Sequence, residues 1–171
     1  GEVMGFDDSF GMAIAKAQAA SYNLLPVKGG VLIVTVNDRD KPTVTPILRR
    51  LHDLGFEIRA TKGTYEHLTR LGIPAERVFK VGEGRPHIVD QIVSGEVAML
   101  INTPMGKKSQ YDDYAMRRAA ITHSIPYFTT MSATSAACDA LIALRSRKYQ
   151  VRTLQERIAD AKALAVAGAG D

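Results

Sequence analysis

A three-layer α/β/α sandwich around a five-stranded parallel sheet is the fold class that this sequence of 171 residues predicts. Three observations predict it. Strand-like and helix-like segments alternate along the chain, the pattern that right-handed crossovers turn into a parallel sheet covered on both faces. Residues 30–36 and 97–102 are unbroken apolar runs rather than alternating ones, as strands buried on both faces require. Gly55, Gly72 and Gly95 each close a helix-like stretch.

Each element has its own warrant. Ser9 is an N-cap for the alanine-rich helix behind it. Residues 21–30, with Asn23, Pro26 and the Gly29-Gly30 pair, read as a linker and mark a boundary. The first strand, 30–36, ends in the turn Asn37-Asp-Arg-Asp. A helix then runs from Lys41 to Gly55; Pro42 suits its first turn, whereas Pro46 predicts a late or irregular start. Residues 56–60 are the second strand and 64–71 a short helix ended by Gly72. A short third strand is expected over 77–81, followed by the glycine-rich loop Gly82-Glu-Gly-Arg-Pro-His and a helix over 87–94. The strand 97–102 leads into a polar loop reaching residue 113, then a helix over 114–123. Residues 125–130 are the last strand and 132–145 a helix of small residues and leucines. A final amphipathic helix begins near Thr153, with Leu154, Ile158 and Ala161 on one face; the last five residues are expected to fray.

Composition excludes several classes. At 46% hydrophobic and 23% charged, the chain has the makings of an ordinary globular core. No run approaches the roughly 18 apolar residues of a membrane span. The opening Gly-Glu-Val-Met-Gly-Phe-Asp-Asp has neither the charge nor the apolar run of a signal peptide. The one cysteine, Cys138, precludes an internal disulfide and fits a reducing, cytoplasmic setting. Within Ala-Ala-Cys-Asp-Ala-Leu it reads as a small buried helix residue. The net charge of +4 is scattered and no groove-reading motif accompanies it, so neither nucleic acid nor membrane is expected as a partner.

In parallel sheets, ligands sit beyond the carboxyl ends of the strands. Here those loops are 37–41, 61–64, 81–87, 102–108 and 129–132. Thr61-Lys-Gly-Thr stands out. Two hydroxyls, Gly63 for close backbone approach and the start of a helix make a place for an anion, phosphate above all. A plain tight turn with a helix cap explains the tetrapeptide equally well. Lys41 and Lys80, beside neighbouring strand ends, add positive charge. Residues 81–88 lack the Gly-Lys-Ser/Thr of a P-loop and are no dinucleotide fingerprint. Arg85 is a candidate anion holder. His87 is a candidate base, or simply the first residue of a helix. The four histidines, His52, His67, His87 and His123, have no metal-ligand spacing, so no metal site is expected. Asp112-Asp113 reads as a cap rather than a dyad. The loops supply donors for an anion but no convincing base or nucleophile, which points to a binding domain.

Several motifs resemble a known family in order and spacing. Gly1-Glu-Val-Met-Gly, Phe10 and the helix ending Lys16-Ala-Gln resemble the end of the second synthetase half of the carbamoyl phosphate synthetase large subunit. Ala60-Thr-Lys-Gly-Thr, Lys80-Val-Gly-Glu-Gly-Arg-Pro-His-Ile, Leu100-Ile-Asn-Thr, Arg117-Arg-Ala-Ala and Tyr127-Phe-Thr-Thr resemble that subunit's C-terminal allosteric domain, of methylglyoxal-synthase-like fold. The resemblance implies a division into 1–27, a linker and helix from the preceding synthetase domain; 28–150, the allosteric domain; and 151–171, a C-terminal helix and tail. It implies regulation rather than turnover: a nucleotide effector, UMP as inhibitor, with IMP or phosphoribosyl pyrophosphate as activators in some members. Lys41, Thr61 and Thr64 would hold its phosphate, with Gly63 shaping the turn. Lys80, Asn102 and Thr103 would hold the ribose and base side, with Lys107 and Lys108 at the rim. Thr129 matches the position near an ornithine site at the interdomain contact. No cofactor is implied for this domain; the whole enzyme uses ATP with Mg or Mn. Its partners would be the synthetase domains of the same subunit and a glutaminase small subunit, and its product carbamoyl phosphate for pyrimidine and arginine biosynthesis.

The chain departs from the family pattern in places. Pro104 stands where enteric members have a second threonine, which loses a donor and stiffens the loop. Lys107-Lys108 replaces an arginine pair, exchanging bidentate forks for point charges. Asp112-Asp113, near the base edge, would discourage extra phosphates. The alternative is methylglyoxal synthase itself, a lyase acting on dihydroxyacetone phosphate. Its catalytic carboxylate position aligns with Arg85 and its histidine with Gln110, and an arginine cannot serve as the base.

Overall fold

The computed structural model describes residues 2–103, 110–148 and 150–167. Five strands form one parallel sheet in the order β3-β2-β1-β4-β5. They are β1 (Gly30–Thr35), β2 (Phe56–Ala60), β3 (Glu76–Arg77), β4 (Val97–Asn102) and β5 (Tyr127–Phe128). Between and around them run α1 (Phe10–Ala20), α2 (Lys41–Asp53), α3 (Lys62–Arg70), α4 (Ile88–Val93), α5 (Gln110–Thr122), α6 (Met131–Ser146) and α7 (Leu154–Ala167). The strand order reverses beside β1, whose carboxyl end therefore opens a crevice between the loops of β2 and β4.

The central strand shows why the sheet is covered twice. Leu32 and Val34 point into a core shared with α1, α2, α3 and α6, built from Met12, Leu48, Leu51, Leu68 and Leu141. Val31 and Ile33 point the other way, onto Ile88, Ile92, Met116 and Ala120 of α4 and α5. Both sets are buried, so period-2 alternation disappears and an unbroken apolar run remains. Cys138 is wholly buried in the first core, and that burial pushes its thiol above the usual range.

Several boundaries differ from the sequence expectation, among them the last strand, which is only Tyr127–Phe128 rather than 125–130. Helix α2 runs unbroken through Pro46. Pro46 has no N–H to give the carbonyl four residues back, but Val44, Ile47, Leu48 and Leu51 form a fully buried stripe that holds the helix. Helix α3 opens at Lys62, two residues early, with Thr61 as its N-cap. The third strand is only Glu76–Arg77 rather than 77–81: Val78 still donates to the Ala60 carbonyl, but Phe79 bridges His87 and turns away. Helix α5 begins at Gln110, so Asp112 and Asp113 lie in its first turn, where the helix dipole favours acid, and not in a loop.

Helix α1 packs along α6. At Gly11, a Cβ would stand 2.5 Å from the Asp139 carbonyl oxygen, so only glycine admits this approach. Asp7, ahead of α1, ties the assembly together. Its carboxylate, 5% exposed, meets Lys16 of α1 at 2.8 Å, Arg147 just past α6 at 2.5 Å and Arg157 of α7 at 3.4 Å. Asp8 also pairs with Arg157, and that guanidinium lies over the Phe6 ring. Burial favours the neutral acid at Asp7. Bonds from Lys16 and the Ser9 amide, with the charges of Lys16 and Arg147, outweigh it and hold the pKa at about 2. Among the described residues, no helix is long and apolar enough to cross a membrane.

Candidate functional site

The neighbouring carboxyl ends of β1, β2 and β3 gather the first turns of α2 and α3 with the loop after β3. Between them lies a cavity of about 100 Å³, lined by Val36, Asp38, Lys41, Thr61, Lys62, Gly63, Thr64, Lys80 and Glu83. Five of the expected ligand residues are therefore brought together: Lys41, Thr61, Gly63, Thr64 and Lys80.

Backbone pairing aims each of them. Thr61 extends β2, its N–H donating to the Val34 carbonyl. As N-cap of α3 it adopts extended backbone, and the amides of Thr64 and Tyr65 return to its carbonyl. Its hydroxyl does not cap the helix. It donates to Thr35 Oγ1 at 3.2 Å instead. Thr64 is 2% exposed, with its Oγ1 3.4 Å from the Val36 nitrogen and 3.5 Å from the Val36 oxygen. Both contacts are long for hydrogen bonds, and in the second, where the Thr64 hydroxyl donates to the Val36 carbonyl, a stronger acceptor can take the carbonyl's place. Lys41 lies with only 16% of its side chain exposed and its ammonium beside Gly63, where a Cβ would stand 3.3 Å from Nζ. It pairs with Asp38 at 2.7 Å, and that hydrogen bond and charge lower the Asp38 pKa. Below, Thr45 Oγ1 donates to the Lys41 carbonyl at 2.7 Å and lies 3.0 Å from His67 Nε2, joining α2 to α3.

Among the described N-caps, those at this corner stand apart. Ser9, His87 and Thr130 each accept an amide of the helix they precede. Asp40 and Thr61, which precede α2 and α3, do not. Asp40 is engaged by Asn37, and Thr61 by Thr35. The two helices that open at the cavity thus carry no side-chain cap, and the first N–H groups and positive dipole of α3 face the cavity without one.

The other expected residues stand apart. Asn102 and Thr103 are buried at the same sheet edge but do not line the cavity. Asn102 Nδ2 donates to Asp113 Oδ1 at 3.0 Å and to the Tyr127 hydroxyl at 2.9 Å. Thr103 Oγ1 accepts from the Asn37 amide at 3.0 Å and from Asn37 Nδ2 at 3.1 Å. Thr129, half-buried after β5, precedes the N-cap of α6. Pro104, Lys107 and Lys108 lie outside the described residues. His87 is the N-cap of α4 in a reciprocal box with Asp90, so the structural reading of that residue holds. Arg85 is 80% exposed and pairs with Asp90 at 3.4 Å. Among the described residues, no group of three or more histidines, cysteines or acids could hold a metal ion.

Three charged lining residues were not singled out in the sequence. Lys62 was legible as the second residue of Thr-Lys-Gly-Thr. Asp38 and Glu83 carried no signal, since acids are not expected in an anion site. Near the cavity, burial raises the Asp112 pKa; Lys80 opposes the rise, while Asp113 and Glu83 add to it.

The model of the MGS-like domain matches residues 43–129. The carbamoyl phosphate synthase large chain of Gemmatimonas aurantiaca is 51% identical over 91% of this chain and 14% of its own length. The C-terminal section of that large chain from Aquifex aeolicus is 45% identical over 91% of this chain and 30% of its own length. The corresponding section from Methanopyrus kandleri is 46% identical, over 91% and 29%. The chain thus spans less than a third of the length of these relatives.

Proposed function

The chain belongs to the MGS-like domain family, and from that premise we propose that it is a regulatory domain of a carbamoyl phosphate synthase large chain, holding the phosphate of a nucleotide effector in the cavity between α2 and α3. The observation that carries this reading is the convergence of Lys41, Thr61, Gly63, Thr64 and Lys80 on two helix starts without side-chain caps. Such a place stabilises an oxyanion through backbone N–H groups, hydroxyls and ammonium charge together. Arg85, which stands at the position of the lyase's catalytic carboxylate, cannot act as a base. A UMP-type inhibitor is the effector proposed, with IMP or phosphoribosyl pyrophosphate as alternatives. Asn102, Thr103, Lys107 and Lys108 would serve its ribose and base, and Thr129 the contact with a synthetase domain.

In the whole enzyme the effector acts by binding one arrangement of this domain against the synthetase core better than another. The coupling equals that difference in affinity, typically about 1–3 kcal/mol. It would tune formation of carbamoyl phosphate from bicarbonate, glutamine-derived ammonia and ATP. Calorimetric titration of the folded chain with UMP, IMP and phosphoribosyl pyrophosphate tests the site. Saturable binding of at least one is expected, and absence of heat with all three sinks the reading. Methylglyoxal formed from dihydroxyacetone phosphate above blank would establish the lyase instead.

A further inference from the structure

Two acids stand where an anion is to bind. Asp38 and Glu83 both line the cavity. Asp38 reaches from the β1–α2 turn and takes the Lys41 ammonium at 2.7 Å. Glu83 reaches from the loop after β3, where its Oε2 accepts the Lys80 amide at 3.1 Å, so its charge is tethered at the rim. Their side chains lie at the open side, Asp38 being 87% exposed, while Thr61 and Thr64 form the closed floor.

We propose that Asp38 and Glu83 form an acidic collar that limits the phosphate cradle to a single phosphate monoester and rejects a diphosphate. The inference rests on the effector-site reading above.

The charges set the limit. Three lysines, Lys41, Lys62 and Lys80, face two carboxylates around the cavity. The surplus of one positive charge, with about half a charge from the N-terminus of α3, roughly matches a monoester carrying about 1.5–2 negative charges. A second phosphoryl group adds about one more negative charge, and no further cation among the described lining residues meets it. It must also sit further out, because a space of about 100 Å³ accommodates one phosphate on the threonine floor. Further out is where the two carboxylates stand. Position therefore turns a general shortage of positive charge into a directed repulsion. The sequence had suggested Asp112-Asp113 for such a role. Asp113 is instead bonded to Asn102, and neither residue lines the cavity.

The test is a matched pair of titrations, UMP and UDP, with divalent cations chelated so that no metal screens the second phosphate. The wild-type chain, Asp38→Asn, Glu83→Gln and a remote control, Glu57→Gln at the exposed start of β2, are compared. Wild type is expected to prefer UMP. Asp38→Asn and Glu83→Gln should each narrow the UMP:UDP affinity ratio by about threefold to tenfold, chiefly by tightening UDP, and Glu57→Gln should leave it unchanged. UMP binding with the same ratio in all four proteins overturns the collar and leaves the effector site standing. An equal shift in Glu57→Gln also overturns it, since net charge alone would then explain the effect. No binding of either nucleotide to folded wild type overturns both readings.

Discussion

Thr64 and Lys41 put the effector reading to its sharpest test. Among the described residues, Thr64 has two long contacts to Val36, and Lys41 has traded solvent for the exposed Asp38 carboxylate. Each is poised to exchange a weak partner for a phosphate oxygen. Thr64→Ala and Lys41→Ala should therefore weaken UMP by about tenfold or more, the size of a hydrogen bond to a charged group, and leave uridine unchanged. Calorimetry with nucleotide and nucleoside in parallel decides; equal losses for both would show that these side chains do not hold phosphate. Legibility at this scale was uneven. Thr61, Gly63, Thr64 and the two lysines are visible in sequence because strand ends, glycine and hydroxyls mark an anion site by type. Asp38 and Glu83 are not, because their effect depends on where they stand rather than on what they are. Asn102 and Thr103 lie beside the cavity rather than in it because Tyr127, Asp113 and Asn37 engage them.

At the scale of elements, burial decided what could be read. Strands β1 and β4 announce themselves because both faces are covered and nearly every residue is apolar. Strand β3 sits at the sheet edge, holds two exposed residues and leaves no such trace. Helix α2 defies its own Pro46 because a buried stripe outweighs one lost backbone bond. A close joint between elements is that of α1 and α6 at Gly11. Gly11→Ala would force a Cβ against backbone 2.5 Å away, which no rotamer change relieves. The helices must move apart, at a cost of about 1–3 kcal/mol read from urea unfolding. A stability unchanged within error would mean that α1 does not lie on α6 in solution.

For the whole molecule, the Asp7 cluster sets the response to acid. The folded pKa of about 2 lies below the ordinary 3.8, so Asp7 contributes stability above the unfolded value that is lost as pH falls from 3.8 through 2. Asp7→Asn should flatten that part of the stability-versus-pH curve and destabilise the chain near neutrality by about 2 kcal/mol, since three cations lose their shared carboxylate. Chemical unfolding of both proteins between pH 2 and 7 checks the sign; curves that stay parallel would remove Asp7 from this role.

Helix α6 joins the two ends of the fold. It starts beside Thr129, at the carboxyl edge of the sheet, and its last turn delivers Arg147 to Asp7. Sixteen residues at 1.5 Å each make a rod of about 24 Å. A tilt of about 5° about its first turn would carry the far end about 2 Å, comparable to an ion-pair spacing. Such a rod would turn a small rearrangement at the sheet edge into the making or breaking of a contact on the opposite side, with no loop between Thr130 and Arg147 to absorb the motion.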